Sequence, residues 1–167
     1  IDPFTASAAE LQDLLQAQHG ISCPALPAEE PDAWLDLVMT HIIEPRLGNG
    51  LVFVRDYPVS QAALARLRPG TPPVAARFEV YLNGVELANG FHELADSTEQ
   101  RMRFEKERER RRSRGLADVP VDEHLLSALA SGLPDCAGVA LGVDRLVMIA
   151  SQADSLGEVI AFPLDAS

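Results

Sequence analysis

The chain has 167 residues, enough for one compact domain or a large piece of one, and its apolar share of 47% can supply a core. A formal charge of −11 argues against non-specific nucleic-acid binding by the bulk surface, which needs a basic footprint, but leaves room for a small acidic ligand in a local basic pocket. No apolar run is long enough to cross a bilayer and no basic-then-apolar segment opens the chain, so no membrane partner and a cytoplasmic location are expected.

In chain order, Ala8 to His19 carries Leu11, Leu14 and Leu15 at helical spacing, with Gly20 as its stop. A proline-rich connector, SCPALPAEEP, leads to Pro31, where a second helix starts with Trp34, Leu35, Val38 and Ile42 on one face. RLGNG ends that helix. LVFVRDYP reads as a short buried strand closed by Pro58, and SQAALARLRPGTPP as a turn or short helix followed by a loop. RFEVYL and VELA flank Asn83-Gly84, a pairing that favours a two-residue hairpin turn. Ser97 or Thr98 is placed to cap a long charged helix to about Arg114, with Gly115 as its stop. Its interleaved acids and arginines predict a solvated helix laced with ion pairs. Asp122 is placed to cap EHLLSALASG, AGVALGV reads as a buried strand running into a helix with Val143, Leu146, Val147 and Ala150 on one side, and EVIAFPL reads as a closing strand. The mixture predicts an α+β fold with a mainly antiparallel sheet flanked by helices. Cys23, Cys136 and the four histidines are scattered, which suits reduced thiols and argues against a zinc site.

The hairpin carries the first chemistry. A two-residue turn sets Leu82 opposite Val85, Tyr81 opposite Glu86, Val80 opposite Leu87 and Glu79 opposite Ala88. Alternation then gives Phe78, Val80, Leu82, Val85 and Leu87 one face, expected to be the core face, and Glu79, Tyr81, Glu86 and Ala88 the other. Glu79 and Glu86 become diagonal neighbours with backbones about 7–8 Å apart. Like charges so placed call for something positive between them. A Mg2+ ion shared with substrate phosphates fits; so does a solvated face, or an arginine such as Arg77 or Arg145. Asn89, Phe91 and Glu93 share the parity of the expected core face, so they reach the cavity of Glu86 only if the strand bulges or twists between Glu86 and Asn89, which Gly90 favours. His92 falls on the opposite parity and reads as a structural residue rather than a base.

GVALGVDRL places Gly138 and Gly142 where a ligand can lie against backbone, and Arg145 in the first turn of a helix, where the guanidinium and helix N-terminus both favour phosphate. It lacks the Gly-Lys-Ser ending of a Walker loop. An ion pair of Arg145 with Asp144 or a nearby glutamate is the alternative.

RFEVYLNGVELANGFHEL, then GVALGVDRLVM and EVIAFP, closely resemble the C-terminal half of class II lysyl-tRNA synthetases, the second string being similar to their motif 3. DYPVSQAALARL, ELANGFHEL and LPDCAGVALGVDRLVM resemble more closely the short lysyl-tRNA-synthetase-like branch of the GenX/PoxA type, which ligates (R)-β-lysine to elongation factor P. The resemblance spans nearly the whole chain. It implies a class II catalytic core, present in part as residues 1–167, with motifs 1 and 2 absent, a native mid-protein start at IDPFTA, a fragment catalytically incompetent alone, and a homodimeric parent. It implies ATP and Mg2+ on the sheet, Glu79 and Glu86 as metal-associated carboxylates, Arg145 holding ATP phosphates as the catalytic arginine, and Gly142 beside the nucleotide. It further implies Asn89, Phe91, Glu93 and Ala140 in a pocket for lysine or β-lysine, with Glu93 receiving the side-chain ammonium. Ala140 stands where lysyl-tRNA synthetases have Gly, and its methyl narrows the pocket by a fit worth about 1–3 kcal/mol. Elongation factor P is the implied acceptor. The alternatives are a true lysyl-tRNA synthetase charging tRNA, and a non-catalytic synthetase-like binding module.

Overall fold

A computed structural model describes residues 1–21 and 30–163. Cys23 and most of the proline-rich connector lie outside the described residues; Cys136 is a half-buried free thiol. Helix α1, Ala8–Asp13, is entered through a capping box in which Ser7 and Glu10 satisfy each other's backbone N–H, and it continues as a wide turn, Leu14–Gln18. Helix α2, Pro31–Val38, runs on through Met39–Ile43 and a tighter turn at Glu44–Arg46. Leu11 and Leu15 of the first helical segment pack with Ala8, Trp34 and Val38 into one apolar cluster, which the helical spacing anticipates.

Five strands form one antiparallel sheet: β1 Leu51–Tyr57, β2 Leu67–Arg68, β3 Val74–Leu82, β4 Val85–His92 and β5 Ala137–Leu141. The order is β1-β3-β4-β5, with the short β2 pairing with the start of β3. Sequence reading misses β2, whose two residues are too few to show a period. Helix α3, Ser97–Ser113, is capped by Asp96, which accepts from the N–H groups of Thr98 and Glu99; the expected cap at Ser97 or Thr98 is one or two residues late. Asp122 caps α4, Glu123–Ala130, as expected, by accepting from Leu125 N–H at 3.0 Å. Helix α5, Val143–Ser151, follows β5 directly. No helix among the described residues is long and apolar enough to cross a membrane.

Three expectations are corrected. The more buried face of β3 is that of Ala75, Glu79 and Tyr81; Phe78, Val80 and Leu82 are only half-buried. The helical segments and the chain around Gln61 pack on the Tyr81 side, while Phe53, at 57% exposure, and Val139, at 61%, lie open on the other. For the same reason the expected buried strands at 51–57 and 137–141 are half-exposed and mostly exposed, and the apolar side of α5 at Val143, Leu146 and Val147 is exposed too. Finally, Leu156–Glu158 is a tight turn and residues through Pro163 form no strand, because they meet no neighbour among the described residues whose backbone could complete a ladder.

Candidate functional site

The hairpin turn is local chemistry. Asn83 and Gly84 both take positive φ, 52° and 79°, as the tight twisted turn requires, and Asn83 Oδ1 accepts from Gly50 N–H at 2.8 Å. Leu82 opposes Val85 and Tyr81 opposes Glu86 as expected, but the next pair is Val80 with Ala88, so Glu79 opposes Asn89 rather than Ala88. Leu87 is the extra residue of a bulge lying between Glu86 and Asn89, where one was anticipated. The bulge shifts parity by one. It brings Asn89 and Phe91 onto the face that already holds Arg77, Glu79, Tyr81 and Glu86. It also turns two carbonyls toward the start of α5: Leu87 O accepts from Gly142 N–H at 2.8 Å, and Glu86 O accepts from Arg145 Nη1 at 2.7 Å.

Three polar groupings result. In the first, Glu79 is buried and both its oxygens are engaged, Oε1 by Arg77 Nη2 at 2.6 Å and Oε2 by the Tyr81 hydroxyl at 2.7 Å. Arg77 also donates to Asn89 Oδ1 at 3.3 Å and to Gln61 O at 3.0 Å, and lies over the Tyr57 ring at 4.3 Å. Burial, and then the Glu79 carboxylate, push both tyrosine hydroxyls well above the ordinary phenol range; the Glu86 charge adds to the effect on Tyr57. The Tyr57 hydroxyl is buried without a well-formed hydrogen bond among the described residues.

In the second grouping, Glu86 Oε2 lies 3.5 Å from Arg145 Nη1. Each glutamate thus has its own arginine, the arginine-paired alternative left open by the sequence. In the third, β5 aligns Ala140 opposite Asn89 and Gly138 opposite Phe91. Phe91 and Tyr57 pack against Ala62, Ala65 and Ala75. The half-buried Glu93 lies across Gly138, where an added Cβ would fall 2.1 Å from Glu93 Oε1. Its carboxylate makes no hydrogen bond or ion pair among the described residues, unlike those of Glu79 and Glu86. His92 is structural: its Nε2 sits 2.6 Å from Asp135 Oδ1, and this contact with the nearby Arg66 charge holds Asp135 below the usual carboxylate range.

Sequence reasoning put Tyr81 on the Glu79 face without giving it a role, and it missed Tyr57 and Arg66. The role of Tyr81 was reachable, because it sits two residues from Glu79 and so shares its face. Tyr57 and Arg66 enter from other segments and left no local signal. Among the described residues, no group of three or more His, Cys, Asp or Glu side chains is placed to hold a metal ion alone. A cleft of about 330 Å³ between Glu44 and Asn83 has neither Glu79 nor Glu86 in its lining, and one of about 470 Å³ is lined by Phe53, Phe78 and Ala137 together with Arg77 and Phe91.

A mixed fold with an antiparallel sheet, and a strand–helix junction carrying Gly142 and Arg145 beside a two-carboxylate hairpin, define a class. Residues 32–166 match the class II tRNA synthetases (D, K and N), and the chain belongs to that family. Over 99% of its length it is 50% identical to an elongation factor P–(R)-β-lysine ligase of Klebsiella pneumoniae and 49% identical to one of Salmonella gallinarum. The chain spans about half the length of these curated relatives, 51% of each.

Proposed function

We propose that this chain is the C-terminal portion of the catalytic domain of an ATP-dependent ligase that activates a lysine-type amino acid and transfers it to a lysine of elongation factor P. The observation that carries this reading is the Glu93 carboxylate, half-buried over Gly138 and without a cationic partner of its own among the described residues. An unpaired, half-buried carboxylate favours a bound ammonium, and the alignment of nearly the whole chain with about half of the Klebsiella ligase supports lysine or β-lysine as its source.

In this reading Asn89 and Phe91 line the pocket beside Glu93, with Ala140 opposite Asn89 limiting its width. Arg145 would hold ATP phosphates at the start of α5, and Gly142 leaves room beside them. Glu79 and Glu86 fit a Mg2+ that takes one or two carboxylates and completes its shell with phosphate oxygens and water; they do not form a full protein cage. Such an ion, when bound, neutralises phosphate charge. Glu79 would have to yield its contact with Arg77 or Tyr81 to serve as a ligand. The substrate carboxylate oxygen attacks the α-phosphorus of ATP, the bond to pyrophosphate breaks, and an acyl-adenylate forms. The acceptor amine then attacks the acyl carbon and AMP leaves. Positioning and charge neutralisation carry the first step, so no strong base is needed.

Full-length protein, assayed for lysine-dependent ATP–pyrophosphate exchange with α- and β-lysine and then for transfer to elongation factor P or tRNA, tests the proposal. Exchange with β-lysine preferred and elongation factor P modified is expected. Preferential charging of tRNA would assign it instead to the lysyl-tRNA synthetases, and absence of exchange would make it a binding module.

A further inference from the structure

We infer that Arg66 is a positioning residue that sets the aim of the Glu93 carboxylate; the inference rests on the reading of Glu93 as the partner of the substrate ammonium. Strand β4 ends at His92, and Glu93 follows it in an isolated antiparallel bridge with Ala65. Its peptide is held from two sides: Glu93 N–H donates to Cys136 O at 3.0 Å, and Glu93 O accepts from Arg66 Nε at 2.6 Å. Arg66 is itself fixed. Its N–H donates to His92 O at 2.8 Å, its carbonyl accepts from Ala76 N–H at 2.9 Å, and its Nη1 pairs with Asp135 Oδ1 at 3.0 Å. Asp135 in turn is held by His92 at 2.6 Å.

The carboxylate has no comparable brace. It makes no hydrogen bond of its own among the described residues, and Gly138 beneath it offers no Cβ to lean on. Its placement therefore rests on its backbone, and among the described residues the Arg66 guanidinium is the one side chain that hydrogen-bonds that backbone. The Glu93–Leu94 peptide is also tied by Leu94 N–H to Leu64 O at 3.1 Å, so loss of the charged donor would leave it one bond in place of two and let the carboxylate shift with the loosened strand end. Arg66→Met would keep the backbone bonds of residue 66 and lose the guanidinium's bonds to Glu93 O and to Asp135.

The test uses full-length Arg66→Met, Arg66→Lys and Asp135→Asn, with Glu93→Gln in parallel, in ATP–pyrophosphate exchange and thermal unfolding. Arg66→Met is expected to raise the KM for the lysine substrate about tenfold, the weight of one hydrogen bond from a charged donor, and to leave the KM for ATP within twofold. Arg66→Lys should restore much of the loss. Equal shifts in both KM values, or an unchanged lysine KM, overturn the inference. Should Arg66→Met fail to fold, Asp135→Asn decides: it keeps the guanidinium but frees its far end, and should raise the lysine KM alone by a smaller factor, with no rise counting against the clamp. Loss of lysine dependence in Glu93→Gln without any effect at Arg66 or Asp135 defeats the clamp only. An unaffected Glu93→Gln defeats the pocket assignment and the clamp together.

Discussion

Gly138→Ala separates binding from folding more cleanly than any truncation at the site. A Cβ at 138 would stand 2.1 Å from Glu93 Oε1 and 3.2 Å from its Cδ, while no backbone atom is among the nearest three. Ordinary contact is 3.4–4 Å, so the oxygen must retreat by more than about 1 Å. The obstacle is the far end of a flexible side chain, and the strand backbone at 138 suits alanine. Folding should therefore be unharmed, or favoured by about 0.4–1 kcal/mol through the less free unfolded chain. A displacement of about 1 Å at a substrate-positioning group can lower kcat/KM about 100-fold, equivalent to about 2.7 kcal/mol. The assay is lysine-dependent ATP–pyrophosphate exchange on full-length protein beside a thermal melt. A variant with an unchanged melting point and a lysine kcat/KM within twofold of the parent would refute the placement of Glu93 over Gly138 as the determinant of the pocket.

Further expectations follow from other parts of the molecule. Ala140→Gly removes the methyl opposite Asn89 and should shift the ratio of kcat/KM values toward α-lysine by about tenfold, read in the same exchange assay; an unchanged ratio means that this methyl does not face the substrate. Trp34, 2% exposed in the cluster of α1 and α2, should cost about 3–5 kcal/mol as alanine in urea unfolding, and a loss under about 1 kcal/mol would show that this cluster contributes little. Asp118 is held by Arg108 and then Arg112, which lower its carboxyl from 3.8 to about 2. A depressed folded-state value means stability that is present above about pH 3.8 and lost as pH falls through about 2, so Asp118→Asn should flatten acid unfolding in that window. An NMR titration midpoint near 3.8 for Asp118 would contradict the ion pair.

Much of the candidate site was legible because its grammar is local. Asn83-Gly84 names a turn with two positive φ values, and Asp122 announces a helix start, each within four residues. Alternation put Glu79 and Glu86 on one face of the hairpin. Even the bulge was foreshadowed, since the polar residues change parity between Glu86 and Asn89 and something had to absorb the shift. The arginine partners of the two glutamates were named only as alternatives, because a long guanidinium can reach several carboxylates and spacing does not choose among them.

What the amino-acid order determined by itself, then, was most of the elements, though neither the short β2 nor the absence of a strand after α5, and with them the hairpin and the cluster of polar residues near its strands. The tertiary structure alone decided which side of the sheet is covered, which strand lies at the edge, and that Arg66 grips the backbone of Glu93 from 27 residues away. Periodicity tells a strand that it has two unlike faces, but a face becomes interior only when another segment packs on it. Phe53 and Val139 carry core-like side chains and stay exposed because no described segment covers them, while Glu79 is buried because Arg77 and Tyr81 supply the hydrogen bonds its charge requires.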